Sequence, residues 1–319
     1  MTSQLEYILK RTGYAVITLL AVSVVIFIFT QLLPGNAAEL SLGQFGTEQD
    51  IKELEESMGL DRPAYVQYID WLHGLITGNL GNSLFWGVEV QEIVVSRAIN
   101  SLYLTLTSLF LMTIISLPLG VIAAVKKGSY IDTILSGLAN VAISIPDFIW
   151  ATFFIYAFAG PVYNILPASG FVTPTEDILM SLQHLLLPSL TLAMVTVAHV
   201  MRQTRRGMIE ALSSDYVRLA RLKGLDEKKV VIKHAFRNGI LPAITVISFT
   251  FGWMMGGLVI VEEVFAYPGL GRLAVNAIQN RDIPVIQTAI LVLATAYIFG
   301  NTIADIMYTA LDPKIQYGD

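Results

Sequence analysis

Cysteine is absent from all 319 residues, which excludes a disulfide framework, cysteine-based zinc sites and thiol nucleophiles. Charge is scarce: only 14% of residues are charged against 54% hydrophobic, and mean hydropathy is +0.63. A chain this poor in charge falls outside the soluble range and is stable where lipid is its solvent. With a net charge of −5 and its basic residues gathered in one stretch, it carries no nucleic-acid footprint. No G-x-x-x-x-G-K-[ST] loop occurs, so the chain has no phosphate cradle of its own for ATP hydrolysis. Internal repeats, low-complexity tracts and Gly/Ser linkers are also missing, and residues 1–319 read as a single domain.

What is present is apolar length. Against the ~20 apolar residues needed to cross a ~30 Å hydrocarbon core, six spans are predicted: Tyr14–Leu33, Leu102–Val125, Thr133–Ala159, Leu185–Met201, Ile240–Val261 and Val285–Ala310. The apolar core of the first exceeds the ~7–15 residues of a signal-peptide h-region, so it reads as an anchor that is kept. Of the 20 Lys and Arg, fifteen fall on the flanks that include the N-terminus, and five (Lys52, Arg62, Arg97, Arg272 and Arg281) on the opposite ones. The positive-inside rule then places both termini in the cytoplasm. Residues 34–98 form an external cap: Thr47 opens a short helix through Met58 closed by Gly59, Pro63 opens another toward His73, and NLGNSLFWG (Asn79–Gly87) is turn-rich with Trp86 at the interface.

Ten of the Lys and Arg lie between Arg202 and Arg237, and this loop, residues 202–239, is patterned as well as basic. In EALSSDYVRLARLKG (Glu210–Gly224), Ser214 suits an N-cap, Asp215 the positive end of a helix dipole, Arg221 and Lys223 its negative end, and Gly224 a left-handed stop. At ~100° per residue Leu212, Tyr216, Leu219 and Ala220 share one face, opposite Ser214, Arg218 and Arg221. Asp226 opens a second helix through Arg237, closed by Asn238 and Gly239. Topology alone accounts for a few charges. Two capped helices point instead to a folded knob, too short to stand alone, that buries an apolar face on this chain or on a cytosolic partner.

Glu210-Ala211, Gly224 fourteen positions on and Ile240-Leu241-Pro242 resemble the EAA loop of the permease subunits of bacterial and archaeal ABC importers, with Leu212 where the general pattern has Ala. RPAYVQYIDWLHGLITGNLGNSL (Arg62–Leu84), SIPDFIWA (Ser144–Ala151), VEEVFAYPGLGRLAVNAIQNRDIPVIQ (Val261–Gln287) and ADIMYTALDPKI (Ala304–Ile315) resemble the peptide and nickel branch in its first-permease form, so that nearly the whole chain is covered. The resemblance implies an all-α integral membrane protein with the type I ABC importer permease fold, in a prokaryotic cell membrane. It implies a homologous second permease subunit, two ATPase subunits that bind the ATP and Mg, and an extracytoplasmic binding protein delivering peptides. No cofactor or catalytic residue is implied for this chain. The coupling residues carried over are Glu210, Ala211, Asp215, Tyr216, Arg218, Leu219, Ala220, Arg221 and Gly224.

Other residues keep two readings. Asp147, beside Pro146 in the third span, either lines the translocation path or is satisfied by backbone groups freed at the proline; the family more often has a neutral residue here. Asp305 reads as a structural hydrogen-bonding group near the cytoplasmic end. FAYPGLG, with Phe265, Pro268, Gly269 and Gly271, is either a re-entrant part of the outer gate or an interfacial turn anchored by Tyr267. His73, His184, His199 and His234 are scattered without an i, i+4 pair, which fits structural histidines better than a metal site. The competing function is an ion-coupled secondary transporter using Asp147 or Asp305, which leaves the basic knob without a purpose.

Overall fold

The structure is a computed structural model that describes residues 2–32, 47–160 and 163–311. Its regular elements are helical, apart from one isolated bridge between Asn82 and Glu89. Among the described residues five helices are long and apolar enough to cross a membrane: α1 (Thr2–Gln31), α4 (Val90–Val125), α7 (Ile178–Leu212), α11 (Leu241–Val264) and α13 (Ile283–Leu311). A sixth crossing is formed if α5 (Tyr130–Ser144) and α6 (Asp147–Phe154), the latter prolonged by a π-helical turn Ile155–Ala159, count as one span bent by 105°.

The bend follows from Pro146, whose ring fixes φ at −58° and pushes Ile145 into an extended conformation (φ −91°, ψ 123°). Trp150 reaches back across it, its Nε1 donating to the Ala142 carbonyl at 3.2 Å. The bundle is centred on α7, which packs most extensively on α4 and also against α5, α6 and α11. A Cβ on Gly120 of α4 would lie 2.5 Å from Thr204 Cβ of α7, so these two helices approach closely there, and Ser101, Thr105, Ser108 and Ser116 of α4 and Ser189 and Thr196 of α7 are buried as well. Several of those hydroxyls donate to the carbonyl one turn back, as Thr204 does to Val200 at 2.8 Å. Helix α1 stands at the rim and packs on α13, leaving most of its apolar surface for lipid.

Two short helices precede α4, and the second packs on α1 through Tyr68 and Trp71 against Phe27, with the Tyr68 hydroxyl 2.9 Å from that of Ser23. α2 (Glu48–Met58) starts at a reciprocal capping box between Thr47 and Asp50 and stops at Gly59 with φ 68°, as its sequence predicts. α3 (Ala64–Thr77) follows Pro63, runs past His73 and ends at Gly78 with φ 80°. The predicted cap is too long at its far end, because 90–98 already belong to α4; residues 34–46 of it lie outside the described residues. Likewise α7 continues through Arg202–Leu212, which the sequence reading assigns to the loop. Both corrections have one cause. A hydropathy window sees only the lipid-facing part of a helix, whereas Val90 and Val94 of α4, and Met208 and Ala211 of α7, are buried on protein beyond it.

Candidate functional site

At the basic end, α8 (Asp215–Leu222) stands across the end of α7. Its inner side, Val217 and Ala220, is buried with Ala124 of α4, Met208 and Ala211 of α7, and Val230 and Ala235. Its outer side carries Tyr216, Leu219 and Leu222 at 42%, 53% and 77% exposure. The face predicted as one therefore divides: Ala220 packs inward, while Tyr216 and Leu219 face out with Arg218. Val217, which the sequence reading did not single out, supplies the inward anchor.

Ser214 holds the N-cap position, but its hydroxyl donates back to the Ala211 carbonyl rather than capping α8. Glu210 is exposed, and its carbonyl accepts the Ser213 hydroxyl at 2.9 Å. Gly224 (φ 74°) ends the helix as expected, its N–H reaching the Arg221 carbonyl at 2.9 Å. Arg221 then grips Glu227 in a fork, 2.7 Å from Nη2 and 3.0 Å from Nε. Those hydrogen bonds hold the Glu227 carboxyl below its ordinary pKa.

The second helix differs from its prediction. α9 (Glu227–Lys229), a π-helical turn Val230–Ala235 and α10 (Phe236–Gly239) run almost directly into α11, so Asn238 and Gly239 are not a stop. Gly239 serves a close crossing instead. A Cβ on Gly207 of α7 would lie 2.2 Å from the Gly239 carbonyl oxygen, so the two backbones touch where the knob meets the bundle. Nearby, Arg205 of α7 holds Asp132 of α5 with two hydrogen bonds of 2.6 and 2.7 Å, while Gly128 N–H donates to the same carboxylate at 2.9 Å.

At the opposite end, α11 turns through Phe265–Gly269 into α12 (Leu270–Gln279). Phe265 and Tyr267 are buried, so the segment is enclosed by protein and is not an interfacial turn anchored by Tyr267. The organising residue is Glu262, which is fully buried and which the sequence reading passed over. Its Oε1 accepts the Ser101 hydroxyl at 2.6 Å, and its Oε2 accepts the Arg272 backbone N–H at 3.0 Å, in the first turn of α12. Around it, Tyr267 donates to the Asn100 carbonyl at 2.8 Å, Asn100 donates to the Pro268 carbonyl at 2.9 Å, and Arg272 Nη1 donates to the Ala266 carbonyl at 2.6 Å. Gly269 and Gly271 are required by this packing: a Cβ on Gly269 would sit 1.9 Å from Glu262 Oε1, and one on Gly271 2.7 Å from Val259 Cα. Beside it Asp282, also fully buried, accepts the Ser83 hydroxyl and the Phe85 N–H, joining the turn after α3 to the start of α13. The adjacent Glu262 and Glu263 near the end of a largely apolar 24-residue helix are the available signal, because a buried carboxylate there is costly without partners.

The intramembrane carboxylates separate. Asp305 pairs with Arg11 of α1 at 3.0 Å, which fits a structural group. Asp147 sits at the 105° bend, partly exposed, its Oδ1 accepting the Phe148 N–H at 2.8 Å, and it has no ion-pair partner among the described residues. His184 Nδ1 contacts the Met180 carbonyl at 2.9 Å, His199 is exposed, and no three His, Asp or Glu among the described residues converge on a point that could hold a metal.

The geometry is that of a helical membrane bundle with a small basic helical knob at one end and a clamped hairpin at the other. Comparison with known proteins agrees along the whole chain. The family described as "Binding-protein-dependent transport system inner membrane component" matches residues 116–317, and its N-terminal counterpart, "Binding-prot-dependent transport system membrane comp, N-term", matches residues 4–85. The "Probable peptide ABC transporter permease protein y4tP" of Sinorhizobium fredii is 35% identical over 311 residues, covering 98% of this chain and 99% of the relative. The "Glutathione transport system permease protein GsiC" of Escherichia coli K12 is 37% identical over 313 residues, again covering 98% and 99%. A solved amino acid ABC transporter chain aligns with 68% of this chain and 92% of its own, at 18% identity and a TM-score of 0.46. The chain is a multi-pass membrane protein and belongs to the binding-protein-dependent transport system inner membrane component family of ABC transporter permeases.

Proposed function

We propose that this chain is one permease subunit of an ATP-driven importer of small peptides, and that it works as a single domain beside a homologous second permease. On this reading two ATPase subunits, holding ATP and Mg, dock at the basic end in the cytoplasm, and an extracytoplasmic binding protein delivers peptide to the opposite end. Peptides are chosen because the two relatives named above carry peptide and glutathione in their names, and glutathione is itself a tripeptide.

The observation that carries the reading is α8. Its inner side is locked to the bundle by Val217 and Ala220, while Tyr216, Leu219 and Leu222 stay open beside Arg218 and Asp215. An eight-residue helix with one packed and one open apolar side fits a lever seated in a groove of another protein. Glu210 and Ala211 end α7 directly below it, Arg221 fixes the following turn, and Gly224 sets the exit angle. Closure of the ATPases on ATP would then move α8 and α7 together and switch the bundle between openings on its two sides. Pro146 and Asp147, at the bend, and the Phe265–Gly271 hairpin with Pro268, Gly269 and Gly271 are the proposed path and outer-gate elements.

Affinity purification in detergent with mass spectrometry tests the central claim. ATPase subunits should co-purify with the wild type and be lost with Gly224→Asp, since φ 74° strains any side chain there. Wild-type protein that brings down no ATPase under conditions that keep the complex intact overturns the importer reading.

A further inference from the structure

Beside the hairpin, away from the basic end, lies an open cavity of about 450 Å³ walled by Arg97 of α4, Arg272, Asn276 and Asn280 on or next to α12, and Trp86. Its wall contains two arginines and no Asp or Glu. Two carboxylates, Glu262 and Glu263, lie close to these arginines but outside that lining. Glu262 is buried beneath the hairpin and accepts from the Ser101 hydroxyl and the Arg272 backbone N–H, not from the Arg272 guanidinium. Glu263 approaches Arg272 Nε only to 3.8 Å, and that Nε, itself buried, has no hydrogen-bond partner. Arg97 makes no hydrogen bond or ion pair with the described residues, although it is half-buried. Glu262 below and Glu263 to one side offset part of this charge, but neither lines the cavity, so its wall presents two like-charged guanidiniums that repel each other and lose hydration, with no carboxylate among them.

We propose that this cavity binds the carboxylate of a small solute entering at this end of the bundle; resting on the import reading above, that group is the C-terminal carboxylate of a peptide. A planar guanidinium presents paired N–H donors that match a carboxylate in a fork, and two of them on one wall complement its charge. The Asn276 and Asn280 amides supply neutral polar groups along one face of α12, and Trp86 offers an aromatic wall for the apolar part of the solute. The volume lies within the range of small-ligand pockets. Gly269, where a Cβ would strike Glu262, lets the backbone form the floor of the cavity.

Isothermal titration of the purified permease pair with its ATPases in lipid nanodiscs, with no binding protein present, decides it. Acetyl-dialanine should bind, and its C-terminal amide should bind at least about tenfold more weakly, the loss associated with one charge-assisted pair. Arg97→Gln should lose at least about tenfold for the acid and nothing for the amide, and Arg97→Lys should fall between. Co-purifying ATPases report separately whether the importer reading and the complex are intact. Equal binding of acid and amide, no binding of the acid, or an unchanged Arg97→Gln overturns the proposal. So does an Arg97→Gln protein that binds the acid normally but no longer docks its binding protein, because the arginines would then serve a partner's carboxylate. Should Arg97→Gln fail to assemble, the acid and amide comparison on the wild type still decides.

Discussion

Glu262 shows how one residue organises a site that its neighbours only outline. Its carboxylate fills the space that Gly269 and Gly271 leave empty and holds Ser101 and the start of α12. Removing it leaves a buried hydroxyl and a helix N-terminus without their acceptor, so Glu262→Ala should cost about 2–4 kcal/mol, read as a lower thermal midpoint of the detergent-purified protein. Glu262→Gln keeps one oxygen and should lose about half as much. Gly269→Ala should be as damaging alone, since its methyl would sit 1.9 Å from Glu262 Oε1. In a Glu262→Ala background that methyl enters vacated space. The double mutant should therefore be clearly less destabilised than the sum of the singles, and strict additivity of the three midpoints would contradict the interlock.

Among elements, those whose ends are written in local chemistry were legible from the sequence. Thr47 to Gly59 carries its cap and left-handed stop in the chain itself, Asp215 to Gly224 its acidic first turn and left-handed stop, and both helices lie within a residue of their predicted bounds. What stayed hidden depended on residues far apart in sequence. The outward continuation of α4 rests on α12 and α13, the extension of α7 past Arg202 rests on the knob, and Gly239 reads as a helix stop until Gly207 is seen against it. Ser101, Glu262, Asp282 and the Asp132 to Arg205 pair belong to the same class, because nothing local distinguishes a bonded buried carboxylate from a misplaced one. The Gly207 crossing gives the test at this scale. Gly207→Ala should push α7 from α10 and reduce ATPase co-purification several-fold, while Gly137→Ala on α5, with nothing within 4 Å of the added methyl, should leave assembly unchanged and gain up to about 1 kcal/mol of helix propensity. Equal effects of the two would show that the close crossing does not position the knob.

For the whole molecule, the bent pair α5 and α6 decides the topology. Ile76, near the end of α3, and Leu222, the last residue of α8, are 85% and 77% exposed, and α4, the bent pair and α7 lie between them. Three crossings place the two residues on opposite sides of the membrane; if the 105° bend makes the pair re-entrant, two crossings place them on the same side. The charges favour three. With two crossings the ten Lys and Arg from Arg202 to Arg237 would share a side with the acidic α2 and its Glu48, Asp50, Glu53, Glu55 and Glu56, and the N-terminal Lys10 and Arg11 would lie across from them. The absence of cysteine makes the measurement direct, because every label reports the residue introduced. In intact cells a membrane-impermeant maleimide should label Ile76→Cys and not Leu222→Cys, and in inside-out vesicles the pattern should invert. Labelling of both in intact cells would make the pair re-entrant, move the knob to the outer face, and remove the cytosolic ATPase as its partner.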